Sequence, residues 1–326
     1  MYYTRLSLKP FENKITYSDA LFFIGSCFSE SVAEKFKLLK FQVLSNPFGT
    51  LYNPVSIANA LDRIVAKTYV CEQDFFLKDE IYRSFDFHSS LTDVRLEELI
   101  LKVNNLIETA HTFLNQAKWV FITLGTSFVF KHKELNKIVA NCHKMPASVF
   151  EQYLLTEDEV YLYLTSMVQC ISSINPTAQL VFTVSPVRYL SGGAFENQVS
   201  KALLILSINR LLKENQRLLY FPAYELFMDE LRDYRYYDND LIHPSPLGVE
   251  HVWNRLLELA FDEKEKPLMK QIQELVLTSL HKPMFPETSA YKQLKTKMLD
   301  KIYELQRQYP FLNFENEKKM FLNQKE

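Results

Sequence analysis

Short, continuous apolar runs alternate with longer helical stretches along most of this 326-residue chain. A strand buried on both faces gives an unbroken apolar run, and the next parallel strand requires a crossover helix. The runs lie at Leu21–Gly25, Phe41–Ser45, Trp119–Leu124, Gln179–Val184 and Leu218–Phe221. We therefore predict an α/β fold with three α/β/α layers and roughly five parallel strands.

The stretches between these runs have the periodicity of helices. Helices are predicted over Ser29–Leu39, from near Pro54, over Glu157–Ile174 and across Gln198–Asn215. The stretch Val70–Leu91 fits no simple element, and we expect it to be an insertion near the edge of the sheet.

The composition changes after Phe261, and we divide the chain there. Apolar residues recur at Leu294, Met298, Ile302 and Leu305, in steps of three and four that mark one helix face. Pro286 and Glu287 suit the first turn of that helix. We predict a main domain over residues 1–262 and a helical extension over residues 263–326. Its apolar stripe is expected to pack on the main domain, with a dimer surface as the alternative.

Composition and charge restrict the classes of protein. The 47% hydrophobic and 23% charged residues are typical of a globular chain. Lys and Arg total 37 against 39 Asp and Glu, which predicts no nucleic-acid or membrane partner. The first residues lack the pattern of a secretory signal, and four cysteines are too few for a disulfide framework. We expect a cytoplasmic protein with free thiols, and its oligomeric state stays open.

Glycine is scarce, with six residues in the chain, and three of them follow predicted strands. Gly25, Gly49 and Gly125 come after the first, second and third strands. The carboxyl ends of parallel strands form the ligand crevice of such sheets. These glycines therefore indicate a site at that edge, although tight strand-to-helix turns alone would also require them.

The first candidate for chemistry is the turn between the first strand and its helix, which contains Ser26 and Cys27. A nucleophile there would lie at a helix amino terminus, whose free N–H groups favour a thiolate or an oxyanion. The alternative is structural: Ser26 or Ser29 caps the helix, and Cys27 is a small buried hydrophobe.

The second candidate is Asp240 with His243, in a loop after the fifth strand. An aspartate three residues before a histidine can accept the imidazole N–H, which leaves the other ring nitrogen free as a base. The alternative is a turn in which His243 only caps.

Acyl transfer also requires donors that stabilise an oxyanion. Gly49, Gly125 and Ser127 follow strands at the expected edge, and Asn141 lies in a later loop. For Asn141, an ordinary turn asparagine is the alternative.

Two further residues are candidates for substrate binding. His143 lies beside Asn141, where an ordinary surface His–Lys pair is the alternative, and Arg188 follows the fourth strand. Arg188 could bind an anionic substrate or form a surface salt bridge. The spacing of Cys142 and His143 does not suit a metal site, and no glycine-rich phosphate loop follows any strand. We therefore expect no metal and no cofactor.

The order of these motifs resembles the SGNH/GDSL hydrolase superfamily. More narrowly, the motif GSCF at residues 25–28, with TLGTSFVF, NCHK, TVSPVR and DxxHPS, resembles the GSCFA family over roughly Leu21 to Phe261. The resemblance implies a flavodoxin-like sheet and hydrolysis of small O-acyl esters, acetylated carbohydrates among them.

The resemblance also implies roles for individual residues. Cys27 falls on the nucleophilic serine of the GDSL motif, with Ser26 as the rival if the turn shifts by one residue. Asp240 and His243 match the acid and the base. Gly49 matches the oxyanion glycine of the second block.

In the third sequence block of the superfamily pattern, Ser127 stands where an asparagine is expected, and Asn141 is the candidate to supply the missing amide.

Two alternatives to a hydrolase stay open. One is a non-catalytic ligand-binding or interaction protein on the same scaffold, and the other is an acyltransferase that uses the same intermediate.

Overall fold

The computed structural model describes residues 4–322, so the first three and last four residues of the predicted domains lie outside it. The strands are β1 (Ala20–Gly25), β2 (Gln42–Ser45), β3 (Phe76–Lys78), β4 (Ile81–Arg83), β5 (Trp119–Leu124), β6 (Phe128–His132), β7 (Lys137–Val139), β8 (Phe150–Leu154), β9 (Gln179–Val184) and β10 (Leu219–Phe221). The helices are α1 (Cys27–Leu38), α2 (Pro54–Val65), α3 (Leu96–Gln116), α4 (Glu157–Ile174), α5 (Ala194–Glu214), α6 (Ala223–Glu225), α7 (Pro246–Ala260), α8 (Lys266–Leu280), α9 (Ser289–Gln308) and α10 (Glu315–Leu322).

Five strands form one parallel sheet in the order β10–β9–β5–β1–β2, which confirms the predicted fold class. Counted along the chain, this is the 2-1-3-4-5 order of flavodoxin-like sheets. The order reverses between β1 and β5, so the loops after these two strands diverge. A ligand crevice is expected at that point of the sheet.

Both faces of the sheet are covered, and this explains the unbroken apolar runs. Along β1, Leu21 and Phe23 pack into a core with α1, α7 and the C-terminal helices. Phe22 and Ile24 face the opposite side and pack with α2 to α5. Because successive strand residues point to opposite faces, nearly every residue of a central strand is apolar, with Thr123 and Thr183 as buried exceptions.

Two regions contain strands that the sequence analysis did not predict. Strands β6, β7 and β8 form a separate antiparallel sheet between β5 and α4. Strands β3 and β4 form a hairpin inside the stretch predicted as an insertion. That stretch contacts the loop after the edge strand β2, where the N–H of His88 donates to the carbonyl of Phe48 at 3.0 Å.

The C-terminal helices pack on the face of the sheet that carries α1. Met298, Ile302 and Leu305 of α9 are buried in the same core as Phe36. Thr288 caps α9, so Pro286 and Glu287 precede this helix and do not form its first turn as predicted. None of the helices within residues 4–322 combines the length and the apolar character needed to cross a lipid bilayer.

We expect Gly25→Ala to lower the free energy of unfolding by roughly 2–4 kcal/mol. Gly25 has φ of +135°, and a Cβ there would lie 2.1 Å from the backbone oxygen of Thr123 in β5. Urea denaturation measures the change. Gly192→Ala is the control, because the nearest atoms to a Cβ there belong to side chains and not to the backbone: Cβ of Glu196 at 3.2 Å and Cζ of Phe128 at 3.9 Å. Equal losses in the two variants would contradict this account.

Candidate active site

A cavity of about 370 Å³ lies beside the carboxyl ends of β1, β5 and β9. Its wall includes residues that directly follow each strand: Ser26 and Cys27 after β1, Gly125 after β5, and Ser185 after β9. His243 completes the wall from the loop before α7. The volume is within the range of small-molecule sites, and the position is the switch point of the sheet.

The turn after β1 presents Cys27 more openly than Ser26. The N–H of Ser26 donates to the carbonyl of Thr123 at 3.0 Å, and α1 begins at the next residue. Ser26 is 1% exposed, and its hydroxyl has no hydrogen-bond partner within the described chain. Cys27 is only partly buried. Of the two candidate nucleophiles, Cys27 is therefore the more accessible.

The environment of Cys27 keeps it protonated. Burial raises the pKa of the thiol, while the backbone N–H groups of Phe28 and Cys27 and the ammonium of Lys201 act in the opposite direction. Asp240 raises the pKa further through its charge. Because burial dominates, a base must remove the proton before this sulfur can attack.

Asp240 orients the ring of His243. Its Oδ2 lies 2.6 Å from Nδ1 of His243, and its Oδ1 accepts the N–H groups of Ile242 and His243. The backbone and ring hydrogen bonds from His243 lower the pKa of Asp240 to about 2. An ionised carboxylate only accepts, so Nδ1 carries the proton and Nε2 is left as the base.

The loop that carries this pair is pinned at both ends. The N–H of Asp238 donates to the carbonyl of His243 at 2.8 Å, and Ser245 caps α7. The N–H of Arg188 donates to the carbonyl of Ile242 at 3.3 Å and joins the loop to the segment after β9. These contacts hold His243 against the cavity.

Cys27 and His243 share the cavity wall. Within residues 4–322, no hydrogen bond joins the ring of His243 to Cys27 or to Ser26, and Nε2 has no other partner. The side chain of His243 is 49% exposed. Its base is therefore open both to the cavity and to water.

The structure does not offer the predicted glycine and serine oxyanion donors to the cavity. The N–H of Gly49 donates to the carbonyl of Asn46, and the N–H of Gly125 donates to the carbonyl of Tyr52, both at 2.8 Å. The N–H of Ser127 donates to the hydroxyl of Ser200. Gly49 and Ser127 also lie outside the cavity wall.

Two asparagines present side-chain amides at the wall, Asn141 and Asn53. Oδ1 of Asn141 accepts the N–H of His143 at 2.8 Å, and Oδ1 of Asn53 accepts the N–H of Ser56 at 2.9 Å. Each Nδ2 is then the free end of its amide. The sequence analysis missed Asn53, because an asparagine before Pro54 is fully explained as a helix cap.

The structure separates the two candidate substrate-binding residues. His143 is buried outside the cavity wall, and its Nε2 lies 2.6 Å from the carbonyl of Ser84. Burial lowers the pKa of His143, so the ring is a neutral structural group. Arg188 lies on the wall.

Lys201 of α5 lies fully buried behind the cavity. Its Nζ donates to the carbonyls of Gly125 at 2.5 Å and Ser185 at 2.7 Å, and so joins the ends of β5 and β9. Burial lowers the pKa of Lys201 to about 7. No pattern in the sequence marks this residue, because a lysine in a helix normally faces solvent.

Fold and site together define a doubly wound α/β protein with a thiol, a histidine and two side-chain amides on one cavity wall. Asp240 orients that histidine through a hydrogen bond. The sequence model of the GSCFA family matches residues 20–256, and that of the GSCFA domain protein, C-terminal domain, matches residues 272–326. The chain belongs to the GSCFA family. No curated protein sequence matches it significantly. Among residues 4–322, no three or more His, Cys, Asp or Glu side chains form a group suited to a metal ion.

Two solved structures are weakly similar to this chain. A candidate acylhydrolase from Bacteroides fragilis is 12% identical with a TM-score of 0.38, over 81% of this chain and 91% of that one. An acetyl xylan esterase, Est2A, from the rumen bacterium Butyrivibrio proteoclasticus is 13% identical with a TM-score of 0.36, over 76% and 64%. Similarities this weak assign no activity to this chain.

Lys201 predicts a specific dependence of stability on pH. Above pH 7 the folded chain holds this amine neutral, whereas the unfolded chain keeps it charged to a pKa of about 10.4. Unfolding therefore takes up a proton, and stability rises with pH in this window. The free energy of unfolding of wild type, minus that of Lys201→Met, should rise by about 1.4 kcal/mol per pH unit between roughly pH 7.5 and 9.5.

Guanidinium titrations at several pH values measure this difference. The matched control is Lys213→Met, since Lys213 lies on the same helix and is exposed. Its difference from wild type should stay flat over the same range. A flat difference for Lys201→Met as well would show that Lys201 is charged in the folded protein.

Proposed function

We propose that this protein is an ester hydrolase of the SGNH/GDSL-like type, with Cys27 as nucleophile and His243 as base. The observation that carries the proposal is that both side chains line one cavity while Asp240 holds Nδ1 of His243 at 2.6 Å. Nucleophile, base and orienting acid are the three roles of a catalytic triad. The resemblance in motif order supports the same class.

The proposed reaction has two halves. Nε2 of His243 takes the proton of Cys27 as the sulfur attacks the acyl carbon, and then gives it to the leaving alcohol. This leaves a thioester on Cys27. Water then attacks with His243 again as base, the C–S bond breaks, and the carboxylic acid and the free thiol are released.

The negative charge that develops on the carbonyl oxygen of the substrate requires hydrogen-bond donors close to the sulfur of Cys27. The backbone N–H groups of Cys27 and Phe28, at the start of α1, already lie where they stabilise negative charge on the sulfur. We assign the third donor to Nδ2 of Asn53. Asn141 is a second amide at the same wall and the one that the sequence analysis put forward.

The substrates to test first are small O-acyl esters, acetylated carbohydrates among them. This choice follows from the resemblance to the SGNH/GDSL superfamily. An acyltransferase would share the thioester and differ only in the acceptor that replaces water. Release of free acid in the absence of any added alcohol distinguishes the two.

Cys27→Ala should lower kcat/KM on 4-nitrophenyl acetate by about 10³-fold or more, because the variant has no nucleophile. Ser26→Ala should retain activity within about tenfold, since its hydroxyl is buried. Cys142→Ala is the control, as Cys142 is a second thiol on the same wall and burial raises its pKa to about 11. Loss of activity in Cys142→Ala alone would contradict the assignment.

An iodoacetamide probe with peptide mapping tests the base separately. Labelling of Cys27 should fall strongly in His243→Ala, since the thiol is protonated at neutral pH without a base. Cys71 is exposed and serves as an internal reference in every sample. Equal labelling of Cys27 in wild type and variant would count against activation by His243.

Ligand binding without turnover is the second candidate, and one observation favours it. No hydrogen bond connects Cys27 to His243 within residues 4–322, so the resting arrangement is not yet a working triad. Catalytic contacts often tighten only when substrate is bound. A wild-type protein that binds esters in the cavity and releases no acid would support this candidate.

Asn53→Asp separates the donor role of Asn53 from its role as a helix cap. A carboxylate still accepts the N–H of Ser56 and so preserves the start of α2, but it cannot donate to an oxyanion. We expect kcat to fall by about 10²- to 10³-fold with unchanged melting temperature. Asn141→Asp is the matched comparison, and a larger loss there would move the donor role to Asn141.

A further inference from the structure

We infer that Arg188 binds an anionic group of the substrate, so that the preferred esters combine an apolar body with one carboxylate or similar oxyanion. This inference rests on the proposed function and concerns the same cavity. Arg188 lies on the cavity wall and also borders a second depression of about 220 Å³ lined by Tyr234 and Tyr237. The guanidinium stacks in this depression, and a ligand that extends from the cavity into the depression would contact it.

The guanidinium is held by aromatic rings and not by an acid. Nη2 donates to the hydroxyl of Tyr237 at 2.7 Å, and the guanidinium carbon lies 4.1 Å from that ring centroid and 5.7 Å from the ring of Tyr234. Within the described residues, no carboxylate oxygen lies within 4.0 Å of Arg188. The surface salt bridge considered from the sequence is therefore not formed.

The acids on the neighbouring loop are already committed to other groups. Asp233 accepts from Arg235 at 2.9 Å, and Asp240 holds His243. Asp229 pairs with Arg232 at 2.7 Å. Asp238 accepts the backbone N–H of Asn239 at 2.7 Å. Within the described residues, no acid of this neighbouring loop forms an ion pair with Arg188.

The arrangement prepares Arg188 for a planar anion. Stacking on Tyr237 fixes the plane of the guanidinium, so little side-chain entropy is lost when a ligand binds. One of its five N–H donors is used by the tyrosine hydroxyl, and the others can form a paired contact with a carboxylate or a phosphate.

The rest of the wall defines the body of the ligand. Apolar surface on the same wall comes from Phe128, Phe130, Val139 and Val187. Sites of this kind bind apolar ligands that are oriented by a few polar contacts. A purely neutral sugar ester would leave the charge of Arg188 without an anionic partner, whereas an ester with one negative charge supplies that partner.

The test compares two esters of equal chain length, 4-nitrophenyl hydrogen glutarate and 4-nitrophenyl pentanoate. We expect wild type to favour the charged ester. Arg188→Met should lower kcat/KM for the charged ester by about 10- to 100-fold and change the neutral ester less than threefold. Arg188→Lys should retain part of the preference, because a point charge replaces the planar fork.

The matched control is Arg210→Met. Arg210 also stacks on a tyrosine, at 3.8 Å from the ring of Tyr161, but it pairs with Asp158 and lies outside the cavity wall. It should leave both esters unchanged. A second pair, 4-acetoxybenzoate and its methyl ester, places the charge on the alcohol side, and the pair with the larger effect of Arg188→Met identifies the charged part.

The outcomes separate this inference from the proposed function. Turnover of the neutral esters with no preference for charge, or equal losses on both esters in Arg188→Met, would overturn the inference and leave the hydrolase intact. If wild type hydrolyses none of the esters, glutarate and inorganic phosphate are titrated by calorimetry. Binding that Arg188→Met abolishes and Arg210→Met preserves would keep the anion site, and no binding would overturn it.

Discussion

The close approach of β1 to β5 at Gly25 is the constraint on which the site depends. Gly25 pairs with Thr123 in the register of the sheet, and its missing side chain lets the chain turn directly over the end of β5. Its N–H donates to Oδ1 of Asn46, which fixes the direction of that turn. The turn therefore fixes the position of Cys27, which begins α1 at the point where the strand order of the sheet reverses.

The opposite side of the cavity is fixed by two hydrogen bonds from a buried amine and not by close packing. Lys201 joins Gly125 and Ser185 through two carbonyl contacts, so the ends of β5 and β9 cannot separate without leaving a buried amine unbonded. In its charged form, the same amine lowers the pKa of Cys27, against the larger effect of burial. One side chain therefore couples the shape of the cavity to the protonation of its thiol.

The strands of the central sheet could be predicted from the sequence because a strand that is buried on both faces is a continuous run of apolar residues. The limits of β5 and β9 are those of the apolar runs Trp119–Leu124 and Gln179–Val184. Strands β6 to β8 gave no such signal, since they are short and several of their residues are polar or only partly buried. Yet Phe128 and Phe130 of β6 form part of the cavity wall.

The candidate site was predictable where a motif is local and not where a contact is distant. Asp240 and His243 are three residues apart, so their spacing alone indicated the hydrogen bond between them. Lys201 lies 76 residues from Gly125 in the chain, and nothing in α5 marks it as buried. Asn53 was missed for another reason. Its oxygen caps α2, which is enough to explain an asparagine at this position. Only the structure shows that the residue also lines the cavity and that, within the described residues, its Nδ2 forms no hydrogen bond. An amide whose two ends serve a helix and a cavity cannot be recognised until both are seen together.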